Sequence, residues 1–294
     1  MLVSAVSFGL MPIFARFAYA QGVGVDELLF LRFLLGFVIV GVILVLRGRL
    51  NLPSRMDLLF LILLGALVYF LQSFLYFTAL LYSPVAIVAL ILYTYPVFVT
   101  IGALTLGWEK ISGILAGASV IAILGLVLIA NPFGSIIGVG IIFALGSSIF
   151  YTIYILSGSR VLRRVKGDVA VFYIMGGASV SFGVTGEVTG TFHLAWSPMG
   201  WFWVGMIVVV CTVLAITALF MGISKIGPSR AALISFGEPA TAIFASLALF
   251  GNSLSGLQWF GGLLILIATA IITLCGSPAL DQEQGQSLLR EPGR

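Results

Sequence analysis

The chain has 294 residues, of which 61% are hydrophobic and 8% charged, and it carries a net charge of +4 with a mean hydropathy of +1.22. Soluble domains carry about 25% charged residues, so a water-facing globule is excluded and lipid must be the solvent for most of the surface. The small positive charge gathers in short connections rather than in a basic face, which argues against nucleic acid as a partner.

Runs of mostly apolar residues predict ten transmembrane helices, at 2–20, 27–46, 58–80, 84–107, 111–130, 136–157, 169–190, 200–223, 228–250 and 256–276. Crossing a hydrocarbon core about 30 Å thick takes about 20 helical residues. Helix is preferred to strand because the runs are about twice the length of a barrel strand and show no polar/apolar alternation. Backbone groups in lipid must find partners within the protein, so the expected fold is an all-α bundle. No stretch remains for a soluble catalytic domain, and any site must be built from the helices.

In chain order, the first span holds Gly9 and Arg16; it lacks a basic flank and a small-residue cleavage site, and reads as a retained helix. The second follows Asp26 and Glu27 and holds Arg32. Spans three and four carry Tyr69, Gln72, Ser73, Tyr76, Tyr93, Tyr95 and Phe98, with Pro96 in mid-span, and the sixth carries Ser147, Ser148 and Thr152. Cys211 and Cys275 both fall inside spans, which argues against a disulfide framework. The ninth span holds Ser235, Glu238, Pro239 and Thr241. Residues 277–294 form a polar tail expected to be disordered.

Apart from Arg16 and Arg32, the Lys and Arg residues fall on alternate connections and in the tail: Arg47, Arg49 and Arg55, then Lys110, then Arg160, Arg163, Arg164 and Lys166, then Lys225 and Arg230, then Arg290 and Arg294. The positive-inside rule makes that side cytoplasmic, together with both termini. Trp196, Trp201, Trp203 and Trp259 fall near the opposite edge, and Trp108 near the inner one, as an interfacial belt would place them.

A shift of 143 positions lays the second half on the first. It brings Phe77 onto Phe220, Ala89 onto Ala232, Pro96 onto Pro239, Leu104 onto Leu247 and Gly113 onto Gly256. The halves, 1–132 and 133–276, hold five spans each, and an odd number inverts one half relative to the other. Inverted repeats characterise many secondary transporters, whose substrates bind at the midplane between the halves. Pro96 lies roughly 18 Å along its helix from Pro84, and Pro239 roughly 16 Å from Pro228, so both are near mid-membrane. Each frees the carbonyl four residues earlier, at Leu92 and at Ser235, and permits a kink or hinge. Shaping the packing is the plainer use of both.

Several segments resemble the EamA-type family of the drug/metabolite transporter superfamily: FGLMPIFAR with Gly9 and Arg16, GVDELLFLRFLLGF with Arg32, LYTYPVF around Pro96, GWEKISGILAG around Glu109, and FGEPATAIF around Glu238 and Pro239. The resemblance runs from about residue 5 to 275. It implies ten helices in two inverted five-helix repeats, and a central cavity built by spans 1, 3, 4, 6, 8 and 9. Alternating-access movement of small metabolites, often out of bacteria across the cytoplasmic membrane, is the implied activity. Two positions depart from the pattern: Gly251-Asn252 stands where Gly-Glu is common, and Arg16 where Lys is frequent.

Glu238 is the carboxylate expected near the midplane, where an ionisable group is costly and must face the interior or water. It is a candidate for a coupling proton or a substrate amine, and Ser235 and Thr241 share its helix face. Holding helices together is the bland alternative. Arg32 sits roughly 9 Å along its helix from Asp26, within snorkelling reach of the interface; turned inward, it would instead grip a substrate carboxylate or phosphate. Arg16 is on a helix that the resemblance sets beside the cavity. Tyr95 corresponds to Glu238 in the repeat and is a cavity candidate, whereas Gln72, Ser147, Ser148 and Thr152 read mainly as interhelical fasteners. With a single His, and none of the H-E-x-x-H, G-x-S-x-G or phosphate-loop motifs, neither catalysis nor a bound cofactor is expected. The rival expectation is a non-transporting receptor or scaffold built on the same fold.

Overall fold

A computed structural model describes residues 2–106, 113–130, 138–161, 164–193, 195–216, 218, 237–251 and 254–275. Among these the regular structure is entirely helical: α1 (Leu2–Tyr19), α2 (Val25–Leu46), α3 (Arg55–Tyr82), α4 (Val85–Leu92), α5 (Tyr95–Thr105), α6 (Gly113–Ala130), α7 (Val139–Val161), α8 (Gly167–Thr189), α9 (Pro198–Leu214), α10 (Gly237–Phe250) and α11 (Gly256–Cys275). By length and composition α1, α2, α3, α7 and α8 can each cross a membrane, and the others are shorter apolar helices.

The outer faces explain why lipid is the solvent. Val38, Val42 and Val45 on α2, and Val180, Val184 and Val188 on α8, repeat at helical spacing and stay exposed. Facing inward, Phe33, Phe77, Phe182 and the α4 residues Val88, Leu90 and Ile91 are fully buried in one core. The main pairings within the bundle are α6 with α11, α2 with α8, α3 with α7, and α1 with both α9 and α10. Small residues permit the closest approaches. A Cβ at Gly9 of α1 would lie 2.6 Å from the Glu238 carbonyl oxygen and 2.6 Å from Thr241 Cβ on α10.

Helix ends follow local chemistry. Glu27 closes the start of α2 by accepting from the Gly24 N–H at 2.7 Å. Its other oxygen accepts from the backbone N–H of His193, which ties the loop before α9 to the α1–α2 turn. Ser197 strengthens that tie by donating to Gln21 at 2.9 Å. Ser54 caps α3 through the Asp57 N–H at 3.2 Å.

Among the described residues, two helices contain a π turn, Leu64–Tyr69 in α3 and Val209–Leu214 in α9. A π turn lengthens the backbone hydrogen-bond step, so local carbonyls need other partners. Ser181 of α8 donates to the Ala66 carbonyl at 2.7 Å, and Thr212 donates back to the Ile207 carbonyl at 3.2 Å.

The predicted span 84–107 is not one helix among the described residues. α4 stops at Leu92, Tyr93 and Thr94 form a turn, and α5 starts at Tyr95. Pro96 thereby occupies the first turn of a new helix, where a missing N–H breaks no bond. The carbonyls left by the break are taken up by hydroxyls: Thr94 donates to the Ile91 carbonyl at 2.7 Å, and Ser148 of α7 donates to the Leu92 carbonyl at 3.3 Å. Thr152 adds a 3.4 Å bond to the Tyr95 carbonyl. The interruption is thus fastened sideways to α7.

Candidate functional site

A cavity of about 320 Å³ opens where α1, α2, α3, α4, α5, α7 and α10 converge, and Arg32, Glu238 and five tyrosines line it. Each element brings its residues there for a local reason. The α4–α5 break turns Tyr93 and Tyr95 toward the cavity, the π turn of α3 ends at Tyr69, and the close approach at Gly9 brings the first turn of α10, with Glu238 and Pro239, against α1.

Arg32 is 6% exposed. Its guanidinium lies 5.1 Å from the centre of the Phe33 ring and 5.5 Å from that of Phe77, and its Nε is buried without a hydrogen-bond partner among the described residues. The expected snorkelling toward the interface is therefore corrected: the side chain turns into the bundle. Ring faces offset part of the cost of burying the cation, but an unpaired buried donor remains expensive.

Glu238 supplies the opposite charge. Its Oε2 accepts from the Tyr93 hydroxyl at 2.5 Å. Among the described residues Arg32 and Glu238 line the same cavity without forming an ion pair with one another. Around them Tyr95 meets Tyr151 edge-on at 4.6 Å, and Tyr151 stacks on Tyr154 at 5.8 Å. A charged group at each of two positions, with aromatic walls between them, can hold a small solute by both its ends and its body.

The other candidates fall elsewhere or serve two ends. Arg16 is not among the residues lining the cavity. Its Nη1 donates to the Leu80 carbonyl at 2.7 Å, and its guanidinium lies 5.7 Å from the centre of the Phe250 ring. The reason is visible in the sequence: the helical partner of that carbonyl would be the N–H of residue 84, which is a proline. Gln72 lines the cavity, yet its side chain donates to Ser147 at 3.1 Å and accepts from Ser73 at 3.1 Å, while Ser147 donates to the Gln72 carbonyl at 3.0 Å. Thr241 packs at the Gly9 contact. Pro239 is buried on the cavity wall. Ser235, Glu109, Trp108, Lys110, Arg163, Lys225, Arg230 and Asn252 lie outside the described residues.

Tyr151 was not singled out by sequence reasoning, and Tyr93, Tyr76 and Tyr69 were named there as residues of spans three and four without a role at a site. A signal was present: Tyr69 and Tyr76 are seven apart, and Ser148 and Tyr151 three apart, which sets each pair on one helix face.

Comparison with known proteins agrees with this architecture. The EamA-like transporter family matches residues 1–131 and again 138–274. An "Uncharacterized transporter" of Archaeoglobus fulgidus is 28% identical over 274 residues, covering 92% of this chain and 93% of the relative. The "Uncharacterized transporter YcbK" of Bacillus subtilis is 26% identical over 274 residues, covering 89% and 87%. A crystal structure of a protein 18% identical in sequence superposes with a TM-score of 0.64 over 93% of this chain and 94% of its own, which speaks to the fold. With two family matches that together span nearly the whole length, the chain belongs to the EamA-like transporter family and is a multi-pass membrane transporter of small molecules.

Proposed function

We propose that the chain is a secondary transporter that carries a small metabolite, such as an amino acid, a related metabolite or a drug, outward across the bacterial cytoplasmic membrane by alternating access. Arg32 and Glu238 hold the charged ends of the solute, Tyr93 and Tyr95 form the wall, and Arg16, Gln72 and Thr241 hold the helices that frame it. The observation that carries this reading is a buried cation, Arg32, and a half-buried carboxylate, Glu238, on the wall of a single cavity of about 320 Å³ without an ion pair between them. Unpaired buried charge is expensive, and a bound solute of complementary charge offsets that cost.

The ten-helix inverted repeat, with halves 1–132 and 133–276 and both termini and the 277–294 tail cytoplasmic, belongs to the same proposal. The separate family matches to 1–131 and 138–274 support it. So do a helix start and the π turns: a shift of 143 carries Arg55 onto Pro198, each the first residue of its helix, and brings the π turns of α3 and α9 within two residues of one another. Pro96 and Pro239, each in the first turn of its helix, sit where the halves pivot. Glu238 carries the coupling proton, since a carboxylate at that depth changes charge with exposure to either side.

Flux through reconstituted vesicles tests the proposal. Wild-type flux of the carried solute should fall when a protonophore collapses an imposed pH gradient, whereas Glu238→Gln should show a small residual flux indifferent to it. Wild-type flux unmoved by the gradient removes the proton. Ligand binding without any flux, in correctly folded protein, favours the receptor reading.

A further inference from the structure

A second cavity, of about 450 Å³, lies at one end of the bundle, apart from the Arg32–Glu238 site. It opens between the C-terminus of α2, the N-terminus of α8 and Ile216, two residues past Leu214 of α9. Arg47, Arg49 and Lys166 line it, all exposed, and among the described residues none of the three side chains has a hydrogen-bond or ion-pair partner. One acid, Asp168, shares the rim; its carboxylate accepts from the Val169 N–H at 3.0 Å. The cavity therefore keeps a net positive rim.

Its floor is of opposite character. Val40, Leu44, Val171 and Ile216 line the deeper part, and Leu44 is 2% exposed. From Arg47 to Val40 is seven residues along α2, roughly 10 Å of apolar wall below the cations. In a membrane protein the end of a spanning helix lies at the bilayer surface, so the cationic rim sits at headgroup depth and the apolar floor at the depth of the first acyl methylenes.

We propose that this cavity is a binding site for an anionic phospholipid, whose phosphate sits among Arg47, Arg49 and Lys166 and whose glycerol and proximal acyl chain cover Val40, Leu44, Val171 and Ile216. Clustered cations beside spanning helices attract acidic headgroups. A free phosphate satisfies the rim but leaves the apolar floor wet, so the site is built for an amphiphile. Occupancy clamps α2 against α8 at that end of the bundle, whatever solute the central cavity carries.

The test uses the full-length protein in detergent, thermally unfolded with phosphatidylglycerol, with phosphatidylcholine or with glycerol phosphate added. Phosphatidylglycerol should stabilise the wild type at about tenfold lower concentration than phosphatidylcholine. That preference should shrink to within about twofold in the triple variant Arg47→Gln/Arg49→Gln/Lys166→Gln, and with rising salt. A charge-matched control, Arg55→Gln/Arg160→Gln/Arg164→Gln, removes exposed cations outside the cavity and should keep the preference. Equal loss in both triple variants means diffuse surface charge and overturns the proposal. So does a wild type that does not distinguish the two lipids, and so does glycerol phosphate matching the effect of phosphatidylglycerol, which would make the site one for soluble phosphates. Melting without added lipid checks that each variant is folded.

Discussion

Arg32 and Arg16 are both cations inside apolar helices, yet they do different work. Arg16 meets a carbonyl that Pro84 cannot serve, whereas Arg32 has rings beside it and a buried Nε without a partner among the described residues. Arg16→Ala should therefore lower unfolding stability by about 1.5–3 kcal/mol, the range for a hydrogen bond to a charged group, while the surviving folded fraction binds solute normally. Arg32→Gln should do the reverse, keeping the melting temperature near wild type and weakening solute binding at least about tenfold. Melting and binding titration on the two variants check both, and an exchange of the two patterns would reverse the assignments. Arg16, with its proline partner four residues beyond Leu80, was open to deduction from the sequence. Arg32 was not, because distance along a helix gives depth but not the direction in which a long side chain turns. That direction was set by Phe33 and Phe77, the latter on another helix.

At the scale of elements, the α4–α5 break shows how far a proline can be read. Pro96 pointed to a freed carbonyl at Leu92, and that carbonyl does find a side-chain partner. The helix restart at Tyr95 depends on Ser148 and Thr152 of α7, residues more than fifty positions away, so no local pattern announces it. The π turn of α3 is illegible for the same reason, since its Ala66 carbonyl is satisfied by Ser181 of α8. Removing the fasteners should be costly: Ser148→Ala leaves the half-buried Leu92 carbonyl without its partner and should destabilise by about 1 kcal/mol, read as a lower denaturation midpoint. Gly9→Val should prevent α1 and α10 from closing, because the added atoms meet backbone and a β-carbon rather than a flexible tip. Loss of the solute-induced thermal shift with helical circular dichroism retained is the expected result; a functional Gly9→Val protein would show that the contact is dispensable.

For the whole molecule, composition and hydropathy made the all-helical membrane class readable at once, since 61% hydrophobic residues leave no other solvent. The outward valine stripes of α2 and α8 are that composition seen in three dimensions. Which charged groups share a cavity was not readable, because Arg32 and Glu238 are some two hundred residues apart and meet only through packing. Alternating access predicts that fixing one end of the bundle stops transport. Gln21 and Ser197 are hydrogen-bonded across that end at 2.9 Å, so Gln21→Cys/Ser197→Cys, in a background lacking Cys211 and Cys275, should lose flux on oxidation and recover it on reduction. Full flux in the cross-linked protein would exclude rocking at that end.

The most direct measurement is a thermal-shift screen of the detergent-purified protein against amino acids, nucleosides, phosphorylated metabolites and cationic drugs. A ligand present at 100 times its dissociation constant stabilises by about 2.7 kcal/mol, enough to be seen in melting. One chemical class should raise the wild-type melting temperature, and that rise should vanish in Arg32→Gln and in Glu238→Gln but persist in Arg16→Gln. A rise that survives intact in both cavity variants would contradict the assignment of Arg32 and Glu238 as the solute-binding pair.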